Sequence, residues 1–275
     1  MGRFLPDNNL NYPVLIELPR GTGSGFFLNW KGEAMYLVTA HHVLFVRNQV
    51  DNVFGLIAEK VKLTAYDEND TLSVKKTVLE VDLTKAEIQK SEKADIVLVK
   101  LGVLSEMGAG MSNCKYMPYV SVVSKLGKLT VVTEETLKMF ADVLVSNEVV
   151  VIGYPSSLSN KNPGVLEYDK PLLRRGSVAG KNVSNRTIIL DCPVYFGNSG
   201  GLAIEAEEIA PGQRKFSVIG VVTKYVPFVE EMYSRQNQYT NHNVENSGYS
   251  IVVPADEILD LIGKSGDADN TMKAA

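Results

Sequence analysis

The sequence has little cysteine and no long apolar run. Two cysteines occur in 275 residues, Cys114 and Cys192, too few for a small disulfide-stapled secreted scaffold, so two free thiols are expected. The opening stretch MGRFLPDNNLNYPVLIELP lacks the apolar core of a secretion signal, and no later stretch approaches the roughly 20 apolar residues that span a membrane. These absences favour a cytoplasmic protein with no membrane partner.

Charge of one sign is not concentrated anywhere in the chain. Lysine and arginine number 28 against 32 aspartates and glutamates, a formal net charge of −4. Because no long basic block occurs, a nucleic-acid partner is not expected. The hydrophobic share of 45% is ordinary for a globular protein, and the length accommodates one large domain or two small lobes.

Short segments rich in valine, isoleucine, leucine, tyrosine and phenylalanine recur, and turn signals separate them. They include VLIEL, GFFLNW, AMYLVTA, VKLTAY, DIVLVKL, EVVVIGY, TIILDC, FSVIGVV and YSIVV. Their density, without helical periods between them, predicts an antiparallel all-β fold. Two helices are expected, one at 133–143 and one at 254–264 that opens with Pro254.

Three stretches are expected to lie outside this β framework. A long connection at 102–147 separates two strand-rich halves and predicts a boundary between two lobes. A polar insert at 230–248, rich in asparagine, glutamine and serine, predicts a mobile surface loop. The tail at 265–275 is expected to be disordered.

Histidine is scarce, which limits the candidates for a base that works near neutral pH. Of the three, His41 and His42 follow an apolar run in LVTAHHVL, whereas His242 lies in the polar insert and is predicted to be a solvated loop residue. Further on, FGNSGGLA at 196–203 places three glycines around one serine. Taken alone, that stretch is an ordinary hairpin turn, and a lone histidine after a strand is more often structural than catalytic.

Three motifs occur together in one order along the chain: TAHHV, ADIVLVKL and GNSGGLA. In that order they resemble the histidine, aspartate and serine motifs of the trypsin-like (chymotrypsin-fold) serine peptidases. GTGSGFFL, EVVVIGYPSSL and the closing GYSIVVPADEILDLI also resemble family segments, and together they point to the HtrA/Deg-like branch. The resemblance covers about residues 14–264 and leaves the inserts and the tail unmatched.

The resemblance implies an all-β fold of two six-stranded antiparallel β-barrels with a C-terminal helix. A single peptidase domain at 1–264 would contain an N-terminal barrel at about 13–105, a connection with a helix at about 106–145, a C-terminal barrel at about 146–253 and a closing helix at 254–264. HtrA-like proteins commonly carry a C-terminal PDZ domain. None is expected in the short stretch after the closing helix.

The resemblance also implies a catalytic triad. The matching positions assign His42 as the general base, with His41 as its neighbour, Asp95 as the group that orients and stabilises the imidazolium, and Ser199 as the nucleophile. In this family the oxyanion hole consists of two backbone N–H groups, here those of Gly197 and Ser199. The surrounding glycines would let this backbone turn inward without a Cβ clash.

Two further positions bear on the implied triad and oxyanion hole. Many digestive relatives have aspartate where this chain has Asn198, and that aspartate pairs with a new N-terminus released by cleavage. Because neither it nor an IVGG-type start occurs here, the hole is expected to form on folding or to be ordered by substrate or partner. Thr223 matches the family's serine that hydrogen-bonds the triad aspartate, although a strand threonine with no function is the alternative.

By the same matching, four residues would line the primary specificity pocket: Pro193, Val194, Tyr225 and Gly248. None carries charge, and an unpaired cationic side chain is costly to bury. Cleavage after small or medium apolar residues is therefore expected. A carboxylate from Glu230 or Glu231 of the insert would overturn this expectation if it reached the site.

The expected function is that of a serine endopeptidase acting on a protein or peptide. Its substrate range is expected to be narrow or its activity gated, and a regulatory protein partner would be consistent with such gating. No cofactor is expected, and no metal, because adjacent histidines on an extended strand point to opposite faces and no second ligand cluster is evident. Two alternatives stay open. One is a pseudoprotease or binding scaffold on the same fold, and the other is a cysteine nucleophile at Cys192, which is better explained as a buried strand thiol.

Overall fold

The structure, a computed structural model, describes residues 4–5, 8–19, 21–48, 53–67, 75–106, 112–161, 164–236 and 238–263, apart from the side chains of residues 106, 112, 159, 161, 234 and 239. The predicted tail at 265–275 lies outside these ranges. No helix within them is long and apolar enough to cross a membrane.

The N-terminal lobe is a curled sheet of ten strands, nine of them antiparallel to their neighbours and one, β12, parallel to β2. Its path runs β10-β9-β3-β2-β1-β6-β7-β11, with β12 on β2 and β8 on β9, and β4 and β5 form a separate ribbon. The bounds are β1 (Pro13–Leu18), β2 (Gly21–Trp30), β3 (Ala34–Thr39), β4 (Phe45–Arg47), β5 (Phe54–Leu56), β6 (Lys60–Tyr66), β7 (Lys76–Asp82), β8 (Ile88–Lys90), β9 (Val97–Glu106), β10 (Ser112–Tyr116), β11 (Val120–Lys125) and β12 (Val132–Thr133).

This lobe has more strands than the six that the sequence predicted. The stretch 112–125, assigned to the connection between lobes, instead forms β10 and β11, which pair with β9 and β7. After β7 the chain crosses to the other side of the sheet, where β8 pairs with β9, and this pairing curls the sheet. The N-terminal lobe therefore reaches Lys125 rather than ending near residue 105.

The C-terminal lobe is the closed six-stranded barrel that the sequence predicted, in the order β13-β14-β15-β18-β17-β16. The bounds are β13 (Glu148–Gly153), β14 (Leu172–Asn182), β15 (Thr187–Asp191), β16 (Leu202–Ala210), β17 (Gln213–Ser234) and β18 (Tyr239–Pro254). Helix α1 (His41–Leu44) follows β3, and α2 (Ser156–Lys161) follows β13. The closing helix α3 spans 256–263, because Pro254 is the last residue of β18 and pairs with Gly220.

Three hydrophobic clusters follow from the alternation of side chains along the strands. On β2, Phe27 points into the interior of the N-terminal sheet, while Phe26 and Leu28 point into a cluster shared by both lobes. On β13, Val150 and Ile152 enter the same shared cluster, and their neighbours enter the interior of the C-terminal barrel. Strands at the lobe interface are therefore buried on both faces, which explains their nearly continuous apolar sequences.

The helix predicted at 133–143 is wrong. That stretch contains two short 3-10 turns, Glu134–Thr136 and Phe140–Asp142, with extended backbone between them. Leu137 forms a parallel bridge with Val218, and the N–H of Lys138 donates to the Val218 carbonyl at 2.9 Å. Pairing with the barrel therefore overrides the local helical preference.

The surface loop predicted at 230–248 is also wrong. Strands β17 and β18 continue past the barrel as a two-stranded ribbon that ends at Ser234 paired with Tyr239. Cross-strand pairs such as Val229 with Val244 supply β-branched side chains that favour this pairing. The polar composition reflects a ribbon exposed on both faces rather than an irregular backbone.

A buried ion pair joins the connection to the barrel and gives a prediction about stability. The ammonium of Lys138, whose side chain is 9% exposed, lies 3.1 Å from the carboxylate of Glu205, which is 1% exposed. The change Lys138→Ala would leave Glu205 buried without its cation, so we expect the free energy of unfolding in urea to fall by about 3 to 5 kcal/mol. The exposed pair of Lys60 and Glu80 is the control, since solvent screens this pair and Lys60→Ala should cost far less than Lys138→Ala. Equal losses in the two variants would contradict the prediction.

Candidate active site

The three residues of the implied triad lie where the two lobes meet. His42 is the second residue of α1, directly after β3, and Asp95 lies just before β9. Strands β3 and β9 are hydrogen-bonded neighbours, with Thr39 opposite Val97, so their adjoining ends place the histidine beside the aspartate. Ser199 belongs to the other lobe, in the turn between β15 and β16.

His42 and Asp95 are joined by two hydrogen bonds. The ring Nδ1 of His42 lies 2.7 Å from Oδ2 of Asp95, and the backbone N–H of His42 donates to Oδ1 at 3.0 Å. The side chains are 48% and 35% exposed. Burial alone would raise the pKa of Asp95, but the hydrogen bonds and positive potential of His42 hold that pKa below its ordinary value. An ionised Asp95 accepts the hydrogen bond at Nδ1 of His42, so the ring proton lies on Nδ1 and Nε2 is the nitrogen left to accept another proton.

The hydroxyl of Ser199 points to the strand beside it. Its Oγ donates to the backbone carbonyl of Thr223 at 3.0 Å, and no hydrogen bond joins it to His42 among the described residues. The Thr223 hydroxyl donates to the Ile251 carbonyl at 3.3 Å, and within the described ranges it makes no hydrogen bond to Asp95. Among the described residues, Thr223 thus contacts Ser199 through its carbonyl and does not hydrogen-bond Asp95 through its side chain.

The N–H groups of Gly197 and Ser199 are both free of hydrogen bonds within the described part of the chain. Each belongs to a trans peptide unit whose carbonyl end is held. The Phe196 carbonyl accepts from the N–H of Ser157 at 3.2 Å, and the Asn198 carbonyl accepts from the N–H of Gly201 at 2.9 Å. Because a peptide unit is planar, holding its oxygen fixes the direction of its N–H. The turn therefore presents two oriented donors that have no acceptor in the described part of the chain.

Two glycines of the GNSGG motif are required by this geometry. Gly197 has φ of +101°, and a Cβ there would lie 2.2 Å from the Tyr154 carbonyl oxygen. At Gly200, with φ of +88°, a Cβ would lie 1.9 Å from the Ser24 carbonyl oxygen. Both residues combine a backbone conformation that favours glycine with a close approach of other backbone atoms.

Asn198 forms two hydrogen bonds to Tyr195 within the same turn. Its side-chain Oδ1 accepts from the N–H of Tyr195 at 3.0 Å, and its own N–H donates to the Tyr195 carbonyl at 2.9 Å. The buried side chain is thus used inside the turn, as a neutral group with local partners.

The predicted pocket residues lie near one another, and Asn246 links two of them. Its Nδ2 donates to the Val194 carbonyl at 2.7 Å, and its Oδ1 accepts from the N–H of Gly248 at 3.0 Å. Tyr225 packs edge-on against Phe196, with ring centroids 5.9 Å apart, and Phe196 is 70% exposed. Pro193 is half-buried. Asn246 and Phe196 were not predicted from the sequence, since neither lies at a motif position to which the family resemblance assigns a role.

His41 turns away from the pair formed by His42 and Asp95. Its ring stacks on Phe45 at 4.6 Å between centroids and meets Phe54 edge-on at 4.9 Å. Burial lowers the pKa of His41 below its ordinary value, against the opposing attraction of Asp95. His41 is thus a packing residue for the β4–β5 ribbon. The other histidine, His242, is exposed on the β17–β18 ribbon 3.6 Å from the carboxylate of Glu231.

Comparison with known proteins identifies the family. The model of the trypsin-like peptidase domain matches residues 23–208, more than half of the chain, so the chain belongs to the trypsin-like peptidase family. The matched range contains His42, Asp95 and Ser199. The predicted family is confirmed, and the HtrA/Deg-like branch stays a prediction.

One solved structure that is similar to this chain is human heparin binding protein. The two sequences are 11% identical. The match covers 96% of this chain and 94% of the heparin binding protein, with a TM-score of 0.51. At this identity the likeness concerns the fold alone, which is chymotrypsin-like. Comparison with curated proteins finds no match.

The environment of Cys192 gives a prediction about the cysteine alternative. Cys192 is completely buried, and burial raises the pKa of its thiol to about 11. At pH 8 the thiol is therefore neutral and a weak nucleophile. We expect iodoacetamide to leave Cys192 unmodified in the folded protein, as measured by intact mass and peptide mapping, and to modify it once urea unfolds the chain. Rapid alkylation of Cys192 in the folded protein would revive the cysteine nucleophile.

Proposed function

We propose that the chain is a serine endopeptidase that hydrolyses peptide bonds through Ser199, His42 and Asp95. The observation that carries the proposal is the 2.7 Å contact between His42 Nδ1 and Asp95 Oδ2, at the lobe interface that also holds the two free N–H donors. The trypsin-like family and the chymotrypsin-like fold support the same class of enzyme.

In the proposed acylation step, Ser199 Oγ attacks the carbonyl carbon of the scissile bond. The serine proton passes to Nε2 of His42, and the resulting imidazolium is stabilised by the ionised Asp95. His42 then gives the proton to the leaving amine, and the acyl group stays on Ser199 Oγ as an ester. A water molecule, deprotonated by the same nitrogen, hydrolyses the ester and restores the serine hydroxyl.

The negative charge of each tetrahedral intermediate would be held by the N–H groups of Gly197 and Ser199. Donors of this kind are effective because they point at the oxyanion before the reaction begins and need no reorganisation. Removing one such donor typically costs about 3 kcal/mol of transition-state stabilisation. The two fixed peptide units that carry these donors, Phe196–Gly197 and Asn198–Ser199, support this role.

We also propose that two features restrict the activity: the orientation of the Ser199 hydroxyl and the width of the pocket entrance. In the structure Ser199 Oγ donates to Thr223, so its hydroxyl must rotate toward His42 before it reacts. The pair of Phe196 and Tyr225 beside the predicted pocket would narrow the entrance for the side chain on the acyl side. Both features fit an enzyme with a narrow substrate range or one that a protein partner activates.

The charges around the predicted pocket favour an apolar side chain on the acyl side. The guanidinium of Arg174 lies 4.6 Å from the ring centroid of Tyr195, the residue next to Val194, and adds positive charge to this region. Glu230 and Glu231 lie five and six positions beyond Tyr225 on the extended strand, a displacement of about 17 to 20 Å. They therefore lie too far along the ribbon to neutralise a cation in the pocket.

The first test is labelling with a fluorophosphonate, which reacts with an activated serine. We expect the wild-type protein to gain one adduct on Ser199, located by intact mass and peptide mapping. Ser199→Ala and His42→Ala should abolish labelling and lower peptide hydrolysis by about a million-fold. The control is His242→Ala, a histidine on the exposed ribbon, which should be labelled like the wild type.

The outcomes separate the enzyme from a pseudoprotease on the same fold. Labelling of the wild type that persists in Ser199→Ala would refute the assigned nucleophile. No labelling of the wild type, alone or with the lysate of cells that produce it, would favour the pseudoprotease.

A second test measures the preference for the residue on the acyl side. In a panel of otherwise identical peptides, we expect kcat/KM for alanine or valine at that position to exceed kcat/KM for lysine or arginine by about a hundred-fold or more, because a buried cation would lack a partner. Liquid chromatography with mass spectrometry would identify the bond that is cut. Fastest cleavage after lysine or arginine would show that the pocket assignment is wrong while leaving the serine mechanism intact.

A further inference from the structure

Ser24 is a buried hydroxyl residue of the N-terminal lobe that makes four hydrogen bonds. It lies on β2 with no exposed surface. Its Oγ donates to the Gly197 carbonyl at 2.6 Å and accepts from the N–H of Tyr154 at 2.8 Å. Its backbone N–H donates to the Ser199 carbonyl at 2.8 Å, and its carbonyl accepts from Thr39 Oγ1 at 2.7 Å. One residue thus ties the N-terminal sheet to the turn that carries Ser199.

The hydrogen bond from the Ser24 hydroxyl to the Gly197 carbonyl holds the middle one of three successive peptide units in the turn. The unit before it ends in the N–H of Gly197, and the unit after it ends in the N–H of Ser199. The middle unit, between Gly197 and Asn198, is held by Ser24 at its oxygen and by the Tyr195 carbonyl at its N–H. Because the two outer units are linked through this one, its rotation sets the angle between the two free donors.

We propose that Ser24 is a positioning residue that sets the mutual orientation of the Gly197 and Ser199 N–H groups, a proposal that rests on the proposed serine peptidase function. Positioning requires the Ser24 hydroxyl both as a donor and as an acceptor of hydrogen bonds. It donates to the oxygen of the turn, and it accepts from Tyr154 on the chain that follows β13, so its own position is fixed from the opposite lobe. The turn is in this way ordered by neutral, buried hydrogen bonds.

Removal of the hydroxyl has a definite consequence for the turn. In Ser24→Ala the Gly197 carbonyl and the Tyr154 N–H lose their partner in a region closed to water. A buried carbonyl without a donor reorients toward another donor where one can be reached, and that rotation moves the adjoining donors off the oxyanion. The loss falls on the transition state and not on substrate binding.

The test compares Ser24→Ala with Thr39→Val, which removes the hydrogen bond from the Thr39 hydroxyl to the Ser24 carbonyl but none to the turn. We expect Ser24→Ala to lower kcat, and the rate of fluorophosphonate labelling, by about 10- to 100-fold with KM within about twofold. Thr39→Val should destabilise the protein toward urea to a similar extent, with kcat within about threefold of the wild type. Ser24→Cys, which keeps a weak donor of similar size, should recover part of the lost rate.

A second measurement does not require activity. In two-dimensional amide spectra, Ser24→Ala should shift the Gly197 and Ser199 resonances, and Thr39→Val should leave them near their wild-type positions. Unchanged Gly197 and Ser199 resonances in Ser24→Ala, or an equal loss of kcat in both variants, would overturn the positioning role. A wild-type protein with no hydrolysis and no labelling would instead refute the proposed function, and the amide shifts would still decide the role of Ser24.

Discussion

The hydrogen bond from the Ser24 N–H to the Ser199 carbonyl joins the two lobes at the point where the proposed catalytic groups must meet. His42 and Asp95 belong to the N-terminal sheet and Ser199 to the C-terminal barrel, so no local structure sets the distance between them. The hydrophobic cluster shared by both lobes holds the sheets together, with Phe26 and Leu28 on one side and Val150 on the other. Proton transfer is sensitive to displacements of about 1 Å, so this interface is a condition for the proposed chemistry.

Much of the site could be predicted from the sequence because its residues fall in compact motifs with unusual composition. TAHHV, ADIVLVKL and GNSGGLA each place a chemically distinctive residue at the end of a strand or in a turn. The contact between His42 and Asp95 depends on the pairing of β3 with β9, which those motifs imply only through the family resemblance. Ser24 was not predicted because a serine inside a strand has no local signal, and the partners of its hydroxyl lie more than 100 positions away.

The fold predictions were wrong where pairing with distant strands determines the backbone conformation. Residues 133–143 have a helical pattern, yet Leu137 and Lys138 are held extended by Val218 on the barrel. Residues 230–248 have the composition of a loop, yet each half continues a strand that the barrel has already aligned, so pairing extends outward at little further entropic cost. The N-terminal lobe gained β10 and β11 for a related reason, because the edges of β9 and β7 offer unpaired backbone groups to the neighbouring chain.

The neutral character of the Ser199 turn bears on how such an enzyme would be controlled. A buried charge at position 198 would need a partner charge, and the turn would then be ordered only when that partner arrived. Asn198 instead satisfies its side chain with Tyr195, and Ser24 satisfies the Gly197 carbonyl, so the donors are oriented once the two lobes have folded together. Control of the proposed activity then falls to the remaining adjustable parts: the rotation of the Ser199 hydroxyl from Thr223 toward His42, and the passage of a substrate side chain between Phe196 and Tyr225.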